Sequence, residues 1–203
     1  MFVVGLTSSM GCGASTVAKM LKKKGFEVIE ADRVSHTIFR PNSLAWREAV
    51  RVFGKQIIGR NNEISHSALA SVAFESKESV ARLNKIAHPL IIKEIKNKIA
   101  RLEKAGKKVV VLDAPLLLEA KMRKMVDFLV VVAAEKKLCI RRIVRRDFFY
   151  PEEAVKRINV QMPLEKKVEV ADFVIDNNGT ISETRRQVGK IALKLKKMAK
   201  KNG

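Results

Sequence analysis

The sequence has little cysteine and few large aromatic rings, and it has no long apolar run. Its 203 residues include two cysteines, one tryptophan and one tyrosine. Two cysteines as far apart as Cys12 and Cys139 do not make a disulfide framework. No apolar run is long enough to span a bilayer, and the segment after Met1 lacks the pattern of a signal peptide. We therefore expect a cytoplasmic protein in a reducing compartment.

The sequence also lacks internal repeats and low-complexity linkers. A chain of this length, 47% hydrophobic, is long enough to bury one substantial core. A single domain over residues 1–203 is therefore the prediction.

Acidic residues are scarce relative to basic ones: 21 Asp and Glu stand against 41 Lys and Arg, for a net charge of +20. Such a surface attracts nucleotide phosphates, nucleic acid or acidic membranes, or it is a set of solvated lysine-rich helix faces. One tryptophan and one tyrosine offer few rings for base stacking, which disfavours nucleic acid as the partner. The composition leaves the oligomeric state open.

Short apolar or β-branched segments alternate with helical patterns along the chain. The predicted strands are residues 1–7, 26–29, 109–112, 128–133 and 173–175. Residues 43–101 have a mostly helical pattern, in which Pro89 is expected to separate a helix over 76–86 from one that begins at Leu90. This alternation predicts an α/β fold with a parallel sheet, whose ligands bind beyond the carboxyl ends of the strands.

A glycine-rich turn lies between the first predicted strand and the first helix. The phosphate-binding pattern G-x-x-x-x-G-K-[ST] aligns with residues 8–15, where Gly13 and Ser15 match but Ser8 and Ala14 do not. Gly11 and Gly13 allow main-chain amides to curl around an anion at the helix N-terminus. The alternative is a glycine-rich turn that binds no ligand.

The predicted nucleotide-binding residues are those of the turn and the start of the helix, with the hydroxyl of Ser15 as the Mg²⁺ ligand. They are Gly11, Cys12, Gly13, Ala14, Ser15 and Thr16. Alanine at position 14 cannot place a cation against the β- and γ-phosphates. A hydrogen bond to a charged group contributes about 1.5–3 kcal/mol, so we expect weakened binding of ATP and still weaker transfer.

Blocks along the rest of the chain resemble those of one enzyme family. They are Gly5-Leu6-Thr7 with the turn, Val28-Ile29-Glu30-Ala31-Asp32, Leu83–Ile91 with its His88-Pro89 pair, Leu112–Glu119, Arg142–Asp147, Ala154–Pro163 ending in Gln161-Met162-Pro163, and Ala171–Asn177. In this order they resemble the dephospho-CoA kinase family from about residue 3 to about residue 180.

The resemblance implies a P-loop NTPase fold, a three-layer α/β/α sandwich with a parallel central sheet. It implies a core over about 1–35, 107–135 and 170–203, a helical CoA-binding part over about 36–106 and a small lid over about 140–168. It also implies transfer of the ATP γ-phosphate to the 3′-hydroxyl of dephospho-CoA, with Mg²⁺, as the last step of CoA biosynthesis.

The resemblance assigns catalytic roles to Asp32, Arg142 and Arg146. Asp32 would orient or deprotonate the ribose hydroxyl, and it would also contact the substrate. The two arginines of the lid, together with Arg157, would meet the ATP phosphates. From the residues alone, a helix N-cap remains the alternative for Asp32.

Further substrate contacts implied by the resemblance are His88, Pro115 and Leu116. A structural role at a helix start remains the alternative for His88. Asp113 and Glu119 flank the turn that contains Pro115, where they would hold metal or substrate or cap a helix.

Three explanations of Ala14 remain open. It is a lysine replaced in order to abolish activity, a natural residue whose missing charge another cation supplies, or the mark of a relative that binds nucleotide or CoA without turnover.

Overall fold

The computed structural model describes residues 1–73 and 75–201. The chain divides into two compact units: residues 1–30 with the described residues from 101 onward, and residues 31–100. None of the described helices has the length and apolar character needed to cross a bilayer.

The first unit is built on five parallel strands. They are β1 (Phe2–Ser8), β2 (Glu27–Glu30), β3 (Val109–Asp113), β4 (Phe128–Ala133) and β5 (Phe173–Asp176). Their order in the sheet is β2-β3-β1-β4-β5, so β1 is central, with β3 on one side and β4 on the other. All five predicted strands are confirmed to within about two residues, and so is the parallel sheet.

The strands are apolar on both faces, and the helices of the same unit pack against the sheet or against one another. They are α1 (Ala14–Lys23), α6 (Lys136–Asp147), α7 (Pro151–Asn159), α8 (Leu164–Glu169) and α9 (Ile181–Lys201). Val17 and Leu21 of α1 and Ile191 of α9 are fully buried in one cluster with Val4 of β1. This packing fixes the N-terminal end of α1 at the carboxyl end of the central strand.

The second unit is helical and has a core of its own. It contains α2 (Ala31–Ile38), α3 (Leu44–Phe53), α4 (His66–Ala73) and most of α5 (Lys77–Lys104), with short 3₁₀ turns at Lys55–Ile57 and Arg60–Asn62. Phe39, Ala49, Phe53, Ile57 and Leu69 form the centre of the buried cluster.

The predicted break at Pro89 is wrong, because α5 continues through it. A proline inside a helix removes one main-chain hydrogen bond and costs about 3 kcal/mol or more. Leu83 and Leu90, on either side of the proline, pack against the apolar core of the second unit. We attribute the continuous helix to this packing, which offsets the loss at Pro89.

Candidate active site

The glycine-rich turn connects the central strand to α1. Gly11 and Gly13 have φ angles of 80° and 101°, in the left-handed region that favours glycine. A Cβ atom at Gly11 would lie 2.5 Å from the carbonyl oxygen of Cys139, and one at Gly13 would collide with the side-chain nitrogen of Asn177. Both glycines are therefore required by the main-chain conformation and by close packing.

Several amides of the turn remain available for an anion. Cys12 N donates to Ser9 O and Thr16 N to Gly13 O. In the described part of the chain, the amides of Gly11, Gly13, Ala14 and Ser15 donate to no other residue. Unpaired amides at a helix N-terminus, with the positive end of the helix dipole, form an anion-binding site.

Side chains from distant parts of the first unit hold the turn in place. Asn177, after β5, donates from Nδ2 to Cys12 O over 2.8 Å and accepts at Oδ1 from the hydroxyl of Thr184 over 2.7 Å. Gln161, after α7, accepts at Oε1 from Met10 N over 2.9 Å. These hydrogen bonds hold the turn in place at Met10 and at Cys12.

The three residues that open α1 differ in exposure. The side chain of Ala14 is buried in the core cluster at 6% exposure. Ser15 and Thr16 are exposed, and the hydroxyl of Ser15 makes no hydrogen bond to another described residue. The hydroxyl predicted to hold Mg²⁺ is therefore accessible, whereas position 14 contributes no charge.

A buried lysine lies at the base of the turn, and sequence reasoning missed it. Lys167 of α8 is fully buried. Its Nζ donates to Ser8 O over 3.1 Å and to Pro115 O over 2.8 Å, and it pairs with Glu119 Oε1 at 2.9 Å. Three acceptors match the three donors of an ammonium group, so this cation is fully used within the protein.

The signal for Lys167 in the sequence was weak. In α8, Leu164 and Val168 are partly buried, and Lys167 lies on the same side of the helix by its spacing. Its neighbour Lys166 is exposed. Helical periodicity identifies the buried face, but it does not identify the carbonyl oxygens that the ammonium meets.

The segment after β3 contacts the end of β1, the helix α8 and Met162, which precedes α8. The carbonyl oxygen of Pro115 also accepts from the hydroxyl of Thr7 over 2.9 Å. Glu119 accepts from Met162 N over 3.0 Å in addition to pairing with Lys167, and its Oε2 atom is buried without a hydrogen bond among the described residues.

Neither Asp113 nor Glu119 caps an α-helix, because residues 115–121 form a series of turns. Leu116 is 46% exposed.

Of the predicted arginines, Arg142 contacts Asn177, a residue that holds the turn in place. Its Nη2 donates to Asn177 O over 2.9 Å, and its Nη1 is buried without a hydrogen bond among the described residues. The pKa of the Cys12 thiol is lowered mainly by its hydrogen bond with Cys139, and the positive charge of Arg142 acts in the same direction. Arg142 is therefore the cation best situated to act near the turn.

The other two arginines are engaged with their own neighbours. Arg146 makes two hydrogen bonds of 2.7 and 2.8 Å to Asp147, which hold the pKa of that carboxyl below its usual range. Arg157 pairs with Glu153 and stacks over Phe149 at 4.1 Å from the ring centroid. Both arginines would have to exchange these partners to meet a phosphate.

Two predicted residues belong to the second unit. Asp32 is exposed and is the second residue of α2, so it lies within the first turn and is not the N-cap residue. His88 is half-buried in the middle of α5, not at a helix start. The N-cap alternative for Asp32 is therefore wrong, and so is the helix start expected at His88. The catalytic role of Asp32 and the substrate contacts of both residues remain predictions.

The fold and the turn together define the class of protein. A parallel sheet with a glycine-rich turn after its central strand, leading into a helix N-terminus, is the P-loop NTPase fold. The crystal structure of TT1252 from Thermus thermophilus superimposes with a TM-score of 0.83 at 28% identity, covering 95% of this chain and 96% of that one.

Sequence comparison narrows the class to one family. The dephospho-CoA kinase family model matches residues 2–183. The dephospho-CoA kinase of Carboxydothermus hydrogenoformans is 41% identical over 194 residues, 96% of this chain and 94% of that protein. The structure of dephospho-CoA kinase from Campylobacter jejuni matches with a TM-score of 0.67 at 27% identity, covering 95% and 96%. The chain belongs to the dephospho-CoA kinase family.

Proposed function

We propose that this protein is a dephospho-CoA kinase, which transfers the γ-phosphate of ATP to the 3′-hydroxyl of dephospho-CoA. The observation that carries the proposal is the turn after β1, whose amides at Gly11, Gly13, Ala14 and Ser15 are unpaired within the described chain. Family membership is the support for dephospho-CoA as the molecule that accepts the phosphate. The turn supplies a site for the polyphosphate of the donor.

Mg²⁺ fits this site through the hydroxyl of Ser15. Among the described residues, no group of three or more His, Cys, Asp or Glu is arranged to hold a metal ion. Mg²⁺ usually keeps several waters and takes few protein ligands beside substrate phosphates, so one exposed serine hydroxyl suits it. When bound, the ion would neutralise charge on the phosphate oxygens.

The protein side chains have separate roles in the proposed reaction. Asp32 would orient the ribose hydroxyl and accept its proton. Arg142 and Arg146 would stabilise the charge on the transferred phosphoryl group. His88, Pro115 and Leu116 would contact dephospho-CoA, and the exposed side chain of Leu116 favours an apolar contact.

The charge missing at Ala14 is best supplied by Arg142. Lys167 is close to the start of the turn, but its three donors are already satisfied. Arg142 has one unpaired buried nitrogen and interacts electrostatically with Cys12 in the turn. A guanidinium makes planar contacts that suit phosphate oxygens.

A second candidate function is a binder of nucleotide or CoA that does not catalyse transfer. Ala14 favours it, because the side chain is uncharged and buried. Equilibrium binding and product analysis separate the two candidates. The kinase forms ADP and CoA from ATP and dephospho-CoA, whereas the binder shows affinity for either ligand and forms neither product.

The decisive variant is Asp32→Asn, which removes the proposed base and keeps the size of the side chain. We expect it to lose most turnover while calorimetry shows unchanged ATP affinity. Full turnover by this variant would remove the assigned role of Asp32, and no turnover by the natural chain at saturating Mg²⁺ would overturn the kinase proposal.

A further inference from the structure

Two buried thiols meet inside the phosphate-binding turn. Cys12, two residues before α1, and Cys139, in α6, have their Sγ atoms 2.8 Å apart. They are 1% and 2% exposed, and both are free thiols. The proposed kinase reaction uses neither sulfur atom.

The two sulfur atoms lie close to bonding distance, and the turn packs directly against α6. A Cβ atom at Gly11 would lie 3.0 Å from the Cα atom of Cys139. A disulfide bond has an S–S length of about 2.05 Å, so the two sulfur atoms would need to approach by less than an ångström. Bond formation therefore requires little movement of the turn or of α6.

The chemical surroundings favour reaction at Cys12. The hydrogen bond shared with Cys139 lowers the pKa of Cys12, and the positive charge of Arg142 acts in the same direction. The same shared hydrogen bond, and then burial, raise the pKa of Cys139. The N-terminus of α1 adds a further positive potential that favours a thiolate.

A cavity of about 380 Å³ lies beside the pair, which is itself almost fully buried. Both cysteines line it, together with Ser9, Ile158 and Leu164 among others. Its volume lies within the range of small-molecule pockets. Local opening of the cavity wall would let a low-molecular-weight disulfide reach the sulfur atom of Cys12.

The geometry points to a modification site: Cys12 and Cys139 form an intramolecular disulfide that ties the phosphate-binding turn to α6. The oxidant is a low-molecular-weight disulfide. The Cys12 thiolate attacks one of its sulfur atoms and expels one thiolate, leaving a mixed disulfide on Cys12. Cys139, as it loses its proton, attacks the Cys12 sulfur and expels the second thiolate.

The exchange balances in atoms and electrons. One S–S bond of the small disulfide breaks and one S–S bond of the protein forms. Two electrons pass from the protein thiols to the small disulfide, and the two thiol protons are carried away by the two released thiols. Reduction by a small thiol reverses each step.

The cross-link would restrain the segment that follows α6. Because α6 leads into α7, the disulfide limits movement of these helices relative to the turn. We expect oxidation to slow turnover and a small thiol to restore it, a consequence that rests on the proposed kinase function. The cross-link itself does not depend on that function, so the two can fail separately.

The test equilibrates the full chain in glutathione buffers of increasing oxidised fraction. Samples are quenched in acid, unfolded, alkylated and weighed by mass spectrometry. The reduced chain should carry two alkyl groups. The oxidised chain should carry none, weigh two hydrogen atoms less than the unmodified reduced chain and yield a peptide pair that joins Cys12 to Cys139.

Three results would overturn the site. They are two alkyl groups at every buffer ratio, a chain that retains glutathione, and cross-linking only between two chains. Cys139→Ser is the matched variant, in which no internal cross-link should form. As a second readout, oxidation should raise the melting temperature of the natural chain but not that of Cys139→Ser, in which Cys12 can form only the mixed disulfide.

Discussion

The ammonium nitrogen of Lys167 lies 3.1 Å from the carbonyl oxygen of Ser8, the residue at which the central strand ends. The same nitrogen contacts Pro115 O and Glu119. A single buried cation therefore joins the end of β1, the segment after β3 and α8. It supports the phosphate-binding turn from below and does not replace the charge missing at position 14.

Lys167→Met should destabilise the protein strongly. The variant leaves Glu119 without its cation and removes one donor from the carbonyl oxygens of Ser8 and Pro115, and breaking a buried ion pair typically costs about 3–5 kcal/mol. Urea unfolding measures the loss. Lys166→Met is the control, because Lys166 is the exposed neighbour in the same helix. Equal stability of the two variants would contradict the role given to Lys167.

Ala14→Lys should raise turnover. A restored cation at the β- and γ-phosphates contributes about 1.5–3 kcal/mol, which corresponds to roughly a tenfold to a hundredfold increase in kcat/KM. Ala14→Met is the matched control, since it adds length without charge. If both variants lose activity equally, the buried position of Ala14 leaves no path for a longer side chain to the phosphates.

Arg142→Met should reduce turnover, and by less when Ala14→Lys is also present. The two cations would then act on the same phosphates, so their effects should not add. Steady-state kinetics of the two single variants and the double variant measure the coupling. Additive effects would show that Arg142 acts elsewhere, for example only through its hydrogen bond to Asn177 O.

Gln161→Glu should raise the KM for ATP more than Gln161→Ala does. The side-chain oxygen of Gln161 accepts from Met10 N in the turn. Alanine removes this support, whereas glutamate adds a negative charge beside the proposed phosphate site. A KM equal to that of the natural chain in both variants would separate Gln161 from nucleotide binding.

The hydrogen bonds of Glu183 at the start of α9 predict that the stability of the protein depends on pH. Glu183 accepts from Thr180 N over 2.7 Å and from the Thr180 hydroxyl over 3.0 Å, which lowers the pKa of Glu183. Because the pKa is lower in the folded chain, the stabilisation is present above the unfolded value of about 4.3 and is lost as pH falls through the folded value.

Urea unfolding of the natural chain and of Glu183→Gln at neutral and acid pH checks this sign. The natural chain should have the larger free energy of unfolding at neutral pH, and the difference between the two chains should disappear in acid. A gap that stays constant with pH would refute the assignment.

Much of the first unit was predictable from the sequence because its signals are local. The uninterrupted run of β4, Phe128–Ala133, is buried on both faces, and Gly13 immediately precedes α1. Such features depend on neighbouring residues alone. The prediction failed at Pro89, where packing in the second unit outweighs the local preference of proline.

The contacts around the turn were not predictable in the same way. Lys167 and Ser8 are 159 positions apart, and Cys12 and Cys139 are 127 apart. The identity of one residue does not indicate which distant residue it will contact. The turn was located from its glycines, but the side chains that hold it became visible only in the folded chain.

The most direct test of the kinase function is a single turnover with enzyme in excess over dephospho-CoA, at saturating ATP and Mg²⁺. We predict that CoA appears in an amount equal to the dephospho-CoA consumed, with one ADP for each CoA. Dephospho-CoA that stays unchanged while calorimetry shows both substrates bound would contradict the proposed reaction and leave a binding protein.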